Sequence, residues 1–292
     1  MTPYDPHRWT SHLLDVEGSM VREILSRVLA SVIWSSVVVA LIRYAPQTFG
    51  SLAIPSTAHV MVGTAIGLLL VFRTNSSYDR FWEGRKLWGG ITNGCRNLAR
   101  QTSVWLVTDQ LLVREVIGWI RIFPFATMQR LRNGKGLGTT PDDVTEADFS
   151  QIAASVNSPV AVARIITERL LAARDRGLID GHQLASLDQN VQLLVDYSGA
   201  CDRIRTTPLP FAYAVHLRRA LIVYCFTLPM VLAKDYGWSA VPVTLVISYI
   251  LFGIEEIGVE IEDPFGLTAN DLPIESFCAG IESTLNEMRD AS

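Results

Sequence analysis

Residues 51–87, SLAIPSTAHVMVGTAIGLLLVFRTNSSYDRFWEGRKL, constrain this chain more than any other stretch. From Ser51 to Phe72 there are 22 residues without Asp, Glu, Lys or Arg. As a helix rising about 1.5 Å per residue, that run is roughly 33 Å long, enough to cross a hydrocarbon core of about 30 Å. Then Arg73, Arg80, Arg85 and Lys86 arrive together with Asp79, Glu83, Tyr78, Phe81, Trp82 and Trp88. An apolar span that ends in basic and aromatic residues reads as a helix leaving a membrane on its cytoplasmic side.

Three further apolar runs follow the same logic. Residues 28–42 (VLASVIWSSVVVALI) are flanked by Arg27 and Arg43, whose stems can stay in the apolar zone while their heads reach outward. Residues 220–233 and 236–254 carry Pro229 and Pro242 inside and are separated by Lys234 and Asp235, which predicts a hairpin. The connection APQTFGSLAIPS predicts a tight turn between the first two spans. Charged residues make up 18% of the chain, against about 25% in an average soluble domain. Of 25 Lys and Arg, 19 lie between Arg73 and Arg219, leaving 25 − 19 = 6 elsewhere. That bias predicts a cytoplasmic middle block with both termini on the same side, in a multi-pass protein of the cell (inner) membrane.

The remaining pattern is helical. Apolar spacing predicts helices over 87–106, 113–132 with a kink at Pro124, 152–176 and 186–204, and a helix start at Thr140, Pro141 and Asp142. Trp9, Leu13, Leu14 and Val16 belong either to an interfacial arm or to a poorly ordered end; no apolar core marks a cleaved signal peptide. The expected fold is all-α, with four transmembrane helices and a large helical cytosolic region. Its parts are an arm (1–24), a first transmembrane hairpin (25–72), a cytosolic helical region (73–219), a second hairpin (220–254) and a C-terminal segment (255–292).

Chemistry is sparse. There is no phosphate-binding loop, no H-E-x-x-H and no G-x-S-x-G, so no enzyme is indicated. A net charge of −4 gives no reason to expect nucleic acid. Cys95, Cys201, Cys225 and Cys278 form no C-x-x-C pair and suggest neither zinc nor a disulfide framework. His59 reads either as a gate or proton site or as a partly wetted position near the outer end of its span. The acidic residues from Glu255 to Asp263 read either as a cation site or as a charged helix exit. Gly63 and Gly67 permit close helix approach. Beside them, Thr64, Leu68 and Phe72 share one stripe at i, i+4 and i+8; were copies of this helix to surround an axis, that stripe would form an apolar constriction.

Residues 72–89 (FRTNSSYDRFWEGRKLWG), 205–213 (RTTPLPFAY) and 261–273 (IEDPFGLTANDLP) together resemble the bestrophin family, bacterial branch, over nearly the whole chain. The positions that carry the resemblance include Arg73, Asn75, Tyr78, Arg80, Trp82, Glu83, Trp88, Pro208, Pro210, Glu262, Asp263, Pro264, Asn270 and Asp271. The resemblance implies a homopentameric channel in the lipid bilayer that passes small monovalent ions passively. It implies chloride by family, with cations an alternative in bacterial members. It places the pore neck at Thr64, Leu68 and Phe72, Thr64 departing from the usual Ile, and a second aperture at the cytosolic exit at His182. No cofactor or metal is expected: the region E-D-P-F-G carries fewer carboxylates than the Ca²⁺ clasp of animal members, which disfavours Ca²⁺ gating. Rival readings are a non-conducting membrane scaffold with a cytosolic docking platform, and a soluble helical enzyme with unusually apolar core helices.

Overall fold

The computed structural model describes residues 19–50, 54–134, 137 and 143–290. Among them there are ten α-helices and no strand. These are α1 (Val21–Tyr44), α2 (Pro46–Phe49), α3 (Ser56–Trp105), α4 (Gln110–Leu131), α5 (Glu146–Ala153), α6 (Ser158–Asp175), α7 (Gly181–Thr206), α8 (Phe211–Tyr236), α9 (Ala240–Glu260) and α10 (Ile274–Asp290). The expected arm at Trp9, Leu13, Leu14 and Val16, and the expected helix start at Thr140, Pro141 and Asp142, lie outside the described residues. Two compact units are formed, one from residues 1–81, 208–263 and 268–270, the other from 82–207, 264–267 and 271–292.

The first unit holds α1, α8, α9 and the leading part of α3. Three stretches are long and apolar enough to cross a membrane: Val21–Tyr44, Ser56–Trp105 and Phe211–Glu260. The third contains both α8 and α9, joined by a single 3-10 turn at Gly237–Ser239. Four apolar helices therefore occur, as the pattern predicts. Ile24, Val28, Ile66, Leu70, Leu221 and Phe252 form their shared core. Two polar contacts tie its helices together, as suits a lipid-facing bundle that offers no water. The Ser35 hydroxyl donates to Thr244 at 3.2 Å, and the Trp34 indole donates to the Phe226 carbonyl at 2.8 Å while stacking on its ring.

Several boundaries differ from expectation, each for a local reason. α1 spans 24 residues rather than 15, because Ile24 joins the core and Arg27 donates to Glu256 at 2.7 Å instead of ending the helix. The connection after α1 is not a bare turn: Pro46 starts the four-residue α2. α8 runs past Lys234 and Asp235; the reversal falls at Gly237, whose φ of +53° an L side chain would resist.

The second unit holds the rest of α3 with α4–α7 and α10. α4 is its axis and packs against α6, α7 and α10, burying Val113, Val116, Trp119, Ile120 and Phe123. Pro124 lies inside α4 without ending it. Proline removes the bond to the carbonyl four residues back, here that of Ile120, and the Cys95 thiol donates to that carbonyl at 3.9 Å. The helix expected over 152–176 is two helices: α5 stops at Ala153, and Asn157 caps α6 by accepting the Val160 N–H, with Pro159 in its first turn. Asp180 caps α7 through a complete capping box with Gln183. The described cysteines are free and buried, and desolvation pushes the thiols of Cys201 and Cys278 up to about 12. The backbone N–H of Leu112, then the Arg176 guanidinium, hold the Asp109 carboxyl below the usual carboxylate range.

Two helical glycines of this unit have opposite surroundings. A Cβ on Gly90 would sit 2.7 Å from the Tyr197 ring, whereas one on Gly199 meets nothing within 4 Å. Gly90→Ala is expected to lower stability by about 1–3 kcal/mol through overpacking. Gly199→Ala is expected to raise it by up to about 1 kcal/mol through helix propensity. Thermal unfolding of the two variants in the same detergent checks the pair; equal shifts would contradict the packing of α3 on α7.

Candidate functional site

Between His59 and Ser77, α3 divides into two faces. Ile66, Leu70, Arg73 and Ser77, spaced four, three and four apart, are buried. Thr64, Leu68 and Phe72 lie on the opposite side. Leu68 and Phe72 are 56% and 55% exposed, against 2% for Leu70. The Thr64 hydroxyl donates to the Val60 carbonyl at 3.0 Å, so its proton is engaged within the helix. The exposed side also carries Val60, Met61 and Val71, so it is a broad apolar surface with the three-residue stripe inside it.

The glycines of this helix are not equivalent. A Cβ on Gly63 would meet the Tyr224 hydroxyl at 2.7 Å, while Gly67 has open space. Gly63 thus admits α8, and His59 stacks on the same Tyr224 ring at 4.0 Å between centroids. Its Nε2 is buried without a partner. The Tyr213 hydroxyl donates to the Leu69 carbonyl at 2.7 Å, tying the start of α8 to the same helix.

One residue past Phe72 the chemistry changes. Arg73 is 1% exposed, and its Nη2 lies 3.2 Å from Glu262 Oε2. Its Nε and Nη1 are buried without partners. Gly258 leaves room for it: a Cβ there would contact the arginine at 3.4 Å. The other oxygen of Glu262 accepts the Leu209 N–H at 2.9 Å, and its carbonyl accepts from Arg80 Nε at 3.0 Å. All three stretches that carry the family resemblance therefore converge on Glu262.

The acidic run that reads as either a cation site or a helix exit is engaged internally. Glu255, 2% exposed, accepts from Arg218 Nε at 3.0 Å and lies 3.6 Å from Arg27. Glu256 accepts from Arg27, and Glu260 accepts from the Asn270 amide. These bonds make the run a set of ties between helices. The burial of Glu255, the small Gly258 and the contacts of Tyr213 with Leu69 and of Tyr224 with His59 are not singled out by sequence reasoning. Their signal was present only as one carboxylate at the end of an apolar run and a tyrosine one helical turn from basic residues.

The other signature residues are divided between the two units. Trp88 is fully buried. Glu83 accepts from Arg203 at 3.3 Å, and the Lys86 ammonium sits 5.8 Å from the centre of the exposed Trp82 ring. A Cβ on Gly84 would touch Pro264 and Phe265 at 3.0 Å, and one on Gly266 would strike the Asp271 carboxylate at 2.5 Å. Pro210 precedes α8 as its cap, with Pro208 exposed two residues before it. Asn75, Tyr78 and Asp263 are exposed. His182 lies exposed in the first turn of α7, beside the capping Asp180.

Comparison with known proteins agrees with this arrangement. The family model for bacterial/fungal bestrophin protein matches residues 1–287. A voltage-dependent anion channel-forming protein of Nostoc sp. is 34% identical over 290 residues, covering 97% of this chain and 92% of its own. A chloroplastic voltage-dependent chloride channel of Arabidopsis thaliana is 30% identical, covering 94% of this chain and 68% of its own. The crystal structure of a bacterial bestrophin homologue from Klebsiella pneumoniae superposes with a TM-score of 0.84 at 28% identity, covering 91% of this chain and 98% of that one. Matched by that family model over residues 1–287 and by relatives along nearly its whole length, this membrane protein belongs to the bacterial/fungal bestrophin family.

Proposed function

We propose that this protein is a passive anion channel of the bestrophin type, formed by a homopentamer in the inner membrane with both termini cytoplasmic. The neck of the pore is the stripe Thr64, Leu68 and Phe72, and His182 rings the cytosolic exit. The observation that carries this reading is the exposed apolar stripe on a helix whose opposite face is fully packed. Such a surface in a bundle core needs a second copy, lipid or an aperture beside it. The names of the relatives, anion channel-forming protein and chloride channel, favour anions over cations. Arg73, which would otherwise sit just past the neck as a free charge, is held in an ion pair with Glu262. The neck itself is uncharged and acts by excluding water. Flux from proteoliposomes, with Cl⁻ and Na⁺ as alternative carriers, is the test. Chloride-dependent efflux is expected; efflux carried by Na⁺ alone would reverse the selectivity, and none with either ion would favour a scaffold.

The exit carries its own prediction. A ring of His182 would set one imidazole per subunit into the cytosolic mouth, so His182→Ala is expected to widen it and raise chloride conductance. Conductance unchanged in His182→Ala would place the exit constriction elsewhere.

A further inference from the structure

An open slot of about 520 Å³ lies between α3 and α8. Its α8 wall is the stripe His216, Arg219, Ala220, Val223 and Thr227. From His216 to Thr227 that wall runs about 16 Å at 1.5 Å per residue, half of a hydrocarbon core of about 30 Å. Along α8 the wall thus has the depth of one leaflet. Ile54, just before α3, and Ala58 and Val62 on it form the facing wall, with the His59–Tyr224 stack beside them. The middle is apolar, and the Thr227 hydroxyl is turned onto the Val223 carbonyl of its own helix at 2.9 Å.

Charge is confined to one mouth. Arg219 and His216 are exposed there, and no carboxylate lines the slot. Arg218 next door is committed to Glu255, whereas Arg219 has no ion pair among the described residues. A second groove of about 470 Å³, bounded by Trp34, Phe226 and Phe252, makes the contrast: its cation, Arg27, is neutralised by Glu256. Of these two, it is the first slot that joins an apolar trough to an uncompensated positive end.

We propose that this slot holds one acyl chain of an anionic phospholipid of the cytosolic leaflet, with its phosphate at Arg219 and His216 and its chain along Val223 and Val62. An anionic headgroup supplies the missing counter-charge, and a single chain fills a trough of leaflet depth. The inference uses the membrane orientation proposed above but does not depend on conduction.

Native mass spectrometry of the protein equilibrated in nanodiscs of equal phosphatidylglycerol and phosphatidylcholine tests it. Wild type is expected to retain phosphatidylglycerol preferentially, and excess inorganic phosphate is expected not to displace it. Arg219→Gln should cut that preference by about fivefold, the effect of one basic residue at a membrane surface. Arg219→Lys should keep the preference, and Lys234→Gln, at the other end of α8, should not alter it. Val223→Trp should fill the trough and lower retention. Equal retention of both lipids, a preference unchanged in Arg219→Gln, or displacement by inorganic phosphate would overturn the proposal. So would a wild type carrying no lipid, the outcome if a second subunit covers the slot. Because the readout is bound lipid and not flux, a protein that conducts without binding sinks this inference alone. One that binds without conducting sinks only the channel reading.

Discussion

Leu68→Ala together with Phe72→Ala should raise single-channel current severalfold while leaving the fold intact. The argument has two halves. An ion passing an apolar ring gives up hydration that the ring cannot replace, and a narrow hydrophobic constriction empties of water altogether. Shortening both side chains widens the ring and readmits water. A barrier lowered by only about 1 kcal/mol multiplies a rate by about five. The second half concerns stability. Leu68 and Phe72 are more than half exposed, so their removal leaves no cavity in the bundle. Leu70, on the same helix two residues away, is the control. It is 2% exposed and packed with Ile66 and Phe252. Leu70→Ala should cost about 2–5 kcal/mol of stability, the usual penalty for emptying a core position, and should not enlarge the current. Planar-bilayer recording with thermal unfolding of the same three preparations separates the outcomes. Unchanged current in the double variant, or increased current in Leu70→Ala, would mean that a different face of α3 meets the ion.

How far the sequence could carry this reading differs from residue to residue. The spans were legible because membranes punish charge over long stretches, and 22 uncharged residues ending in Arg73 leave few alternatives. The stripe at Thr64, Leu68 and Phe72 was legible as a spacing, since i, i+4 and i+8 fall on one helix face whatever the partner. Boundaries were not. Nothing local says that α1 begins at Val21, because its first turn is held by Ile24 in a core contributed by three other helices. The break at Asn157 was legible in principle, as Asn-Ser-Pro is a helix start, but an unbroken apolar period on either side outweighed it. The acidic run was the hardest part. Sequence shows five carboxylates close together; only the fold reveals that Glu255, Glu256 and Glu262 answer arginines 37, 229 and 189 positions away.

The junction at Glu262 should show a loss of stability that rivals emptying a core position. Arg73 carries a full charge at 1% exposure, and Glu262 is its ion-pair partner, with two of its three nitrogens unbonded. Glu262→Gln keeps the shape and an acceptor for the Leu209 N–H, but removes the compensating charge. A buried ion left alone costs about 3–5 kcal/mol, and Glu262→Gln should lower stability by that order. The reverse change behaves differently. Arg73→Met takes the charge away and leaves Glu262, whose side chain is 18% exposed, able to recruit water. Its cost should therefore be smaller, and Arg73→Met with Glu262→Gln should be more stable than Glu262→Gln alone. That ordering is specific to a desolvated pair; a surface bridge worth less than about 1 kcal/mol would give three small and additive shifts. Chemical unfolding in one detergent across the cycle decides between them. Because Glu262→Gln keeps an acceptor for the Leu209 N–H, and Arg80 donates to the backbone carbonyl of residue 262, the segment leading into α8 should stay tied down. Unchanged proteolysis near Pro208 in Glu262→Gln and in Arg73→Met would confine the energetic loss to the unpaired charge.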